Sequence, residues 1–208
     1  MLNLFRYLIA FFTFKVADNS RQEGALQAPL GLTWGLDINE IKKELEVVSE
    51  NSLDERTTNF IFNPKIKLFG FEKYELTIDE KYGLIDVTMT EYFNSDNFHI
   101  HGKGSYYDIN KILSKKYGPP SSVRNPEDDS DYGADVSVSS LQEKDTNEFL
   151  KNRWSSFYNF KLGGWINVSL KNNNPHDSFL MLEYTSANAK KVIYEQVDKE
   201  KESMSEFL

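Results

Sequence analysis

Two histidines in this chain of 208 residues are spaced so that they could act together. His99 and His101 flank Ile100, and on a strand they would lie on one face about 6–7 Å apart. Two imidazoles at that spacing can share a metal ion, with Asp96 as a third ligand. The competing interpretation, which we prefer, buries Phe98 and Ile100 and leaves both histidines in solvent. We therefore predict no metal ion and no cofactor.

A second group of residues with chemical capability is acidic. The stretch 125–133 carries four carboxylates, which are the ligands that calcium prefers. Gly133 comes too late for an EF-hand loop, and no glutamate occupies the twelfth position of any register. We therefore predict an exposed acidic loop that attracts a basic protein partner. Its carboxylates belong to Glu127, Asp128, Asp129 and Asp131.

Sequence motifs for nucleophilic catalysis are missing. The Gly102–Ser105 stretch has neither the spacing nor the strand-turn context of a Gly-x-Ser-x-Gly elbow. Gly102 and Gly104 are also not followed by the Lys-Ser or Lys-Thr pair of a phosphate loop. The chain has no cysteine, which removes thiolate nucleophiles, thiolate zinc sites and disulfides. We predict no catalytic residue; the alternative is a small hydrolase whose histidine or carboxylate site is assembled only by the fold.

Composition narrows the class of partner. The formal net charge of −8 argues against nucleic-acid binding, which requires clustered lysine and arginine to displace counterions. The 15 Phe, 11 Tyr and 3 Trp residues supply enough apolar area for the core of one domain. Among these aromatics, Trp165 shares a strand face with polar residues, and Trp154 and Tyr158 lie on the preceding strand. We predict that the three form a protein-binding patch; the alternative is that a helix or loop covers them.

Capping patterns predict three helices. Asp37 and Glu40 are spaced as a capping box, which predicts a helix over 38–48. Ser105 and Asp108 form a similar pair, and Gly118 followed by two prolines ends the helix that they begin. The apolar spacing in 187–197 predicts a third helix, and residues 141–151 could add a short one.

Alternation of apolar and polar residues predicts six strands, at 58–62, 74–78, 85–89, 154–160, 166–170 and 179–184. The second and third form a hairpin with one wet face. The segments 49–56 and 121–140 are predicted to be loops. The order is helix, three strands, helix, three strands, helix. This predicts an α+β fold, an antiparallel sheet with helices on one face, and permits a pseudo-duplicated β-β-β-α unit.

Two short stretches carry a resemblance. The Trp34–Gly35 pair within 32–41 leads into the first helix, and the second helix ends in Leu113–Pro119. Both resemble small bacterial exported proteins of the beta-lactamase-inhibitor-protein type. The resemblance implies a helix-plus-antiparallel-sheet fold and an inhibitor or immunity-type role, and it transfers no catalytic residue. Together with the acidic charge, it predicts a non-catalytic protein that binds another protein; a structural envelope component is a further alternative.

The N-terminus predicts the compartment. Arg6 precedes the apolar run Tyr7–Phe14, and Ala17 is followed by polar residues, as in a secretory signal peptide, although Lys15 departs from that pattern. We predict a signal at 1–17, a linker at 18–30, a single domain at 31–208 and a periplasmic location. The run is too short to span a bilayer. The alternative is that it forms a buried strand or helix.

Export predicts a shortened protein. Expression in the native host should yield a chain that begins near Asp18, because a signal peptide is removed on secretion. Intact-mass spectrometry of the purified protein measures the start directly. A full-length soluble protein that retains Tyr7–Phe14 would contradict the prediction.

Overall fold

The computed structural model describes residues 24–68, 70–96, 99–124, 153–174 and 176–205. The predicted signal segment, the short helix at 141–151 and the acidic residues Glu127, Asp128, Asp129 and Asp131 lie outside these ranges. The elements, in chain order, are α1 (Ile38–Glu44), β1 (Glu46–Ser52), β2 (Thr57–Asn63), β3 (Lys73–Asp79), β4 (Gly83–Phe93), α2 (Ile100–Tyr117), β5 (Ser122–Arg124), β6 (Arg153–Asn159), β7 (Trp165–Asn174), β8 (Asp177–Thr185) and α3 (Ala187–Ser205).

The strands form one antiparallel sheet in the order β1-β2-β3-β4-β8-β7-β6-β5. Each half is a meander of four consecutive strands, and β4 and β8 join the halves at the centre. The α+β class with an antiparallel sheet is confirmed, and α1 and α2 pack on one face of it. Four strands followed by a helix occur twice along the chain, so the unit has one strand more than the predicted β-β-β-α unit.

The apolar face of the sheet follows from strand alternation. One cross-strand row runs through Leu76, Val87, Tyr184, Ile166 and Tyr158, each on a different strand. All five side chains are buried. Directly paired residues point to the same side of a sheet. The predicted alternation in five strands therefore builds one continuous core under α1 and α2.

The first helix is placed by a close approach of two glycines. Gly35 donates its N–H to Leu84 O at 3.1 Å, and Leu84 N–H donates to Leu36 O at 2.8 Å. A Cβ on Gly83, which has a φ of +65°, would collide with the Gly35 carbonyl. The loop that leads into α1 is thereby attached to the first turn of β4.

The predicted capping box of α1 is confirmed, but the helix ends earlier than predicted. Asp37 Oδ1 accepts the N–H groups of Asn39 and Glu40, and Glu40 Oε2 accepts the N–H of Asp37 at 2.9 Å. Leu45 is extended, and β1 follows at once where the prediction continued the helix to residue 48. The β-branched pair Val47–Val48 favours a strand once β2 is available as a partner.

Both outer strands are absent from the sequence prediction. The segments 49–56 and 121–140 were predicted as loops, yet β1 occupies the first half of the first and β5 the start of the second. Strands are recognised in a sequence by apolar alternation, and neither outer strand shows it. In β1 almost every residue is exposed, so no alternation is needed there. Polar, charged sequences are common on edge strands, since they discourage pairing with other chains.

The second helix begins earlier than predicted. It starts at Ile100, so Ser105 lies inside the helix and is not its N-cap. The buried carboxylate of Asp96 accepts the N–H groups of His101 at 3.0 Å and Gly102 at 2.8 Å. A carboxylate at this position satisfies N–H groups that have no partner within the helix. The predicted end at Gly118 is confirmed, with a φ of +84°.

Part of the predicted linker belongs to the domain. Leu26 is buried in the main core, and its carbonyl accepts the indole N–H of Trp34 at 2.8 Å. The Trp34–Gly35 pair is therefore structural in two ways, since Gly35 bonds to β4 and Trp34 holds the preceding segment. The prediction of a free linker is wrong from Leu26 onward.

The C-terminal helix is held by charges as well as by apolar contacts. Arg56 pairs with Asp79, which is fully buried, at 2.6 Å and with Glu195 of α3 at 2.8 Å. Glu195 also accepts from Lys81 at 2.7 Å and from the Tyr82 hydroxyl at 2.6 Å. These hydrogen bonds, that of Lys81 first, lower the pKa of Glu195 to about 2.

Within the described residues, no helix is both long and apolar enough to cross a membrane.

Loss of Arg56 should destabilise the domain. Arg56→Ala leaves the buried Asp79 carboxylate without its cation, and breaking a pair of this kind costs about 3 kcal/mol. Urea unfolding measures the free energy of unfolding of variant and wild type. Lys81→Ala is the control: Lys81 is exposed and leaves the Arg56–Asp79 pair in place, so little change is expected. Equal effects of the two substitutions would contradict the central role of that pair.

Candidate functional site

The side of the sheet opposite the main core is polar. One cross-strand row on this side consists of Glu75, Thr88, Glu183 and Asn167, which lie on β3, β4, β8 and β7. We call this side the polar face, and it also carries the two neighbouring rows. The first contains Thr77, Asp86, Thr185 and Trp165, and the second contains Thr90, Met181, Ser169 and Ser155.

Asp86 is the buried carboxylate of the polar face. It is 8 % exposed, and its two oxygens accept the hydroxyls of Thr88 at 2.9 Å and Thr185 at 2.6 Å. Burial, followed by the negative charge of Glu183, raises its pKa to about 7, and the two hydroxyls act in the opposite direction. Asp86 is therefore divided between its protonated and ionised forms near neutral pH.

Glu183 and Asn167 form a hydrogen-bonded pair beside Asp86. The Asn167 side-chain N–H donates to Glu183 Oε2, and the two residues face each other across β7 and β8. Asn167 is 4 % exposed, yet its Oδ1 has no hydrogen-bond partner in the part of the chain that the structure describes. Ser169, two residues further along β7, is 0 % exposed, and its hydroxyl also lacks one. Buried polar atoms are normally satisfied, and these are two of nine buried side-chain atoms without a partner among the described residues.

The far end of the polar face is aromatic and carries cations. Tyr92 contacts Phe179 with ring centroids 6.4 Å apart, and the ammonium of Lys171 lies 5.8 Å from the centre of the Phe179 ring. Lys73 pairs with Glu75 at 3.0 Å. The charges on this side are thus ordered, with Asp86 and Glu183 towards the middle and the two lysines towards one end.

The three aromatic residues predicted as one patch do not share a face. Trp165 lies on the polar face, where it packs with Ala189 and Val192 of α3. Trp154 and Tyr158 pair with Leu170 and Ile166, so they point into the main core. The physical reason is strand alternation: paired residues of β6 and β7 share a side, and Trp165 precedes Ile166 by one position. The prediction that Trp154, Tyr158 and Trp165 form a single patch is therefore wrong, because their side chains lie on two sides of the sheet.

The contacts of Trp154 and Tyr158 assign them to the packing of α2. Lys103 lies over the Trp154 ring, 4.8 Å from its centroid. The Tyr158 hydroxyl donates to Asn110 Oδ1 at 2.9 Å and lies 3.2 Å from the Ser114 hydroxyl. Both rings therefore fix the helix against the sheet.

The histidine pair does not lie on a strand. His99 has a left-handed backbone with a φ of +56°, and His101 is exposed in the first turn of α2. Asp96, the proposed third ligand, spends both carboxylate oxygens on backbone N–H groups. Among the described residues no group of three or more histidine or acidic side chains is arranged to hold a metal ion. The strand on which the two histidines would share a face does not form, and Ile100 is 65 % exposed, because Asp96 supplies a helix start that the Ser105 pattern concealed.

Comparisons of the chain with protein-family models, with curated proteins and with solved structures found no match. The resemblance to proteins of the beta-lactamase-inhibitor-protein type stays a prediction.

Asp86, Glu183 and Asn167 were not singled out from the sequence. Each stands at a polar position of a strand in which apolar and polar residues alternate. The neighbouring residues give no other indication that these three lie together. Asp86 and Glu183 are almost a hundred positions apart in the chain and meet because β4 pairs with β8. An aspartate between Ile85 and Val87 is unusual enough to mark a polar face, but it does not reveal which strand lies beside it.

The raised pKa of Asp86 predicts how stability depends on pH. The unfolded chain ionises this carboxyl near pH 4, whereas the folded protein holds the proton up to about pH 7. Ionisation therefore destabilises the fold progressively between these values and by a constant amount above them. Asp86→Asn removes this contribution, so relative to wild type the variant should gain stability as the pH rises from 4 to 7. Urea unfolding at several pH values checks this, and a difference that does not vary with pH would contradict it.

Proposed function

We propose that this chain is a non-catalytic, exported protein that recognises another protein through the polar face of its sheet. An inhibitor or immunity-type role is the concrete form of the proposal. The observation that carries it is a row of half-buried polar side chains, Glu75, Thr88 and Glu183, across three neighbouring strands of the polar face. The main core and helices α1 and α2 lie on the other side of the sheet.

The size of the polar face suits a protein rather than a small ligand. Its three central rows run across β3, β4, β8 and β7, and all three extend to β6. Strands lie about 4.8 Å apart and residues rise about 3.3 Å, so such a face offers several hundred Å². A protein interface of ordinary size buries roughly 800 Å² on each partner.

Charge supports a basic partner. The chain carries a net charge of −8, and Asp86 and Glu183 place negative charge near the middle of the polar face. Complementary charge increases the rate of association and disfavours wrong partners. The predicted acidic loop around Glu127–Asp131 would add to this steering, and its contribution should weaken as salt increases.

A hydrolase is the second candidate, and one observation favours it. Asp86 has a pKa of about 7 beside Glu183, and a carboxyl that titrates near neutrality can serve as a general acid or base. Both Asp86 oxygens, however, already accept threonine hydroxyls, so they are less available to a substrate. Binding is therefore the better-supported function.

Blocking the middle of the polar face should abolish binding. Thr88 is half-buried there, and Thr88→Arg would fill the surface and pair with the carboxylates that a partner uses. A protein captured from the native host by the full chain would be purified and its Kd measured by calorimetry. We expect the Kd to rise about 30-fold or more, as for a binding hot spot of ~2 kcal/mol.

The matched control introduces the same side chain elsewhere. Ile112 is 62 % exposed on α2, so Ile112→Arg adds the same charge away from the polar face. It should leave the Kd unchanged, and Thr88→Gln serves as a milder variant if Thr88→Arg impairs folding. Equal Kd values for wild type and both Thr88 variants would refute binding through this face. Turnover of a substrate that is lost in Asp86→Asn would favour the hydrolase instead.

A further inference from the structure

The connection between β2 and β3 exposes two apolar side chains between lysines. Ile66 is 76 % exposed, which makes it the most exposed large apolar residue in the part of the chain that the structure describes, and Leu68 is exposed as well. Lys65 and Lys67 alternate with them and are also exposed. We call residues 65–68 the tip loop. A single exposed apolar residue is ordinary on a protein surface, whereas two that alternate with cations indicate a contact surface.

The fold holds the tip loop in this shape. Leu68 donates its N–H to the Tyr74 hydroxyl at 2.8 Å, and its carbonyl accepts the N–H of Phe71 at 3.2 Å. Tyr74 and Phe71 are buried in the main core, and Pro64 is buried at the start of the loop. The backbone is therefore anchored on both sides of Ile66, and this side chain gains free energy only if another surface buries it.

The charge of the tip loop is opposite to that of the whole protein. The chain carries a net charge of −8, yet no acidic residue occurs between Glu55 and Glu72. Neither Lys65 nor Lys67 forms an ion pair with another described residue. Glu72 lies at the sheet and not in the loop, because its N–H already donates to Thr90 O of β4 at 2.9 Å. The tip loop therefore combines positive charge with apolar surface.

Two further exposed apolar residues lie at the same end of the sheet. Tyr92 follows Thr90 by two residues near the end of β4, and Ile100 is the first residue of α2. The Tyr92 ring contacts Phe179, over which the ammonium of Lys171 lies. This end of the sheet thus has the same composition as the tip loop, with apolar side chains beside lysines.

We propose that the tip loop is a contact site for the surface of an anionic lipid membrane. Its lysines bind the phosphate headgroups, while Ile66 and Leu68 enter the boundary between headgroups and acyl chains. A protein interface of ordinary size buries roughly 800 Å² on each partner, which is more than four loop residues present. A fluid surface needs neither that area nor a complementary pocket. The proposal goes beyond recognition at the polar face and does not depend on it.

The first test is flotation of the full chain with lipid vesicles. Vesicles of equal parts phosphatidylglycerol and phosphatidylcholine should bind the protein, and binding should decrease as salt increases, because the lysines act through their charge. Vesicles of phosphatidylcholine alone should bind much less. The double variant Lys65→Gln, Lys67→Gln should lower the partition coefficient on the anionic vesicles about 30-fold, since each lysine near such a surface contributes about fivefold.

A second pair of lysines supplies the matched control. Lys115 and Lys116 are exposed in the last turn of α2, so Lys115→Gln with Lys116→Gln changes the net charge equally. They lie about 22 Å along the helix from Ile100, which is at the end of the sheet that carries the tip loop. This control should bind anionic vesicles as the wild type does.

The apolar contribution is tested in the same way. Ile66→Ser should lower the partition coefficient about tenfold, because it removes most of an apolar side chain that the membrane buries. Leu162→Ser is its control, since Leu162 is 69 % exposed on the turn between β6 and β7, at the opposite end of the sheet. That variant should bind as the wild type does.

A fluorophore locates the contact directly. The chain has no cysteine, so Ile66→Cys and Leu162→Cys each supply a single attachment point for the dye NBD. The emission of NBD in the Ile66→Cys protein should shift to the blue and gain intensity on anionic vesicles, because the dye leaves water. The emission in the Leu162→Cys protein should stay unchanged.

Several results would overturn the membrane contact. They are equal binding to the two kinds of vesicle, equal weakening by the two lysine pairs, and a dye response in the Leu162→Cys protein alone. Binding through the apolar run Tyr7–Phe14 would be weakened by neither the lysine variant nor Ile66→Ser of the tip loop, and would overturn it too. If the tip loop docks on an acidic protein instead, the dye in the Ile66→Cys protein would respond to that purified protein and not to vesicles.

Discussion

The pairing of β4 with β8 is the constraint on which the rest of the structure depends. Among the described strands it is the one junction between the first meander and the second. It places Val87 beside Tyr184 on the core side and Thr88 beside Glu183 on the polar side. Because successive residues of a strand alternate between faces, a slip by one position would exchange the two sides. Core and polar face are therefore fixed by the same register.

The register is stabilised by α1 and α2 on one side, whereas the other side is mainly polar. On the core side, the Tyr106 hydroxyl of α2 lies 2.5 Å from the Ser156 hydroxyl, and burial raises the pKa of Tyr106 to about 12. These hydroxyls must pair within the core, because unpaired polar atoms in an apolar environment are costly.

On the polar face, the Asp86 carboxyl accepts two threonine hydroxyls. The side-chain oxygens of Asn167 and Ser169 have no hydrogen-bond partner among the described residues. Unpaired buried atoms occur on both sides of the sheet, because Trp154 Nε1 on the core side also lacks a partner in the described part of the chain. The neighbouring carboxyl groups of Asp86 and Glu183 are what distinguish the polar face.

Local sequence patterns predicted the inner strands and failed at both edges. The hairpin of β3 and β4 was predicted with its turn, and its polar side was recognised, although Thr77, Asp86 and Thr90 on that side are more buried than a wet face implies. The edge strands were missed because an edge strand needs no apolar alternation to pair along one side. The early start of α2 was missed because the buried Asp96, which supplies N-terminal acceptors to the helix, precedes it by several residues.

The sequence by itself determined the class of the fold, the six inner strands, the capping box at Asp37 and the helix end at Gly118. Each of these depends on the spacing of neighbouring residues, and backbone geometry converts such spacing directly into structure. Only the tertiary structure decided that Asp86, Glu183 and Asn167 lie together, and that Trp154 and Tyr158 are turned away from Trp165. Those outcomes depend on which strands become neighbours. Neighbours far apart in the chain are selected by packing of the whole core, for which no single segment carries the information.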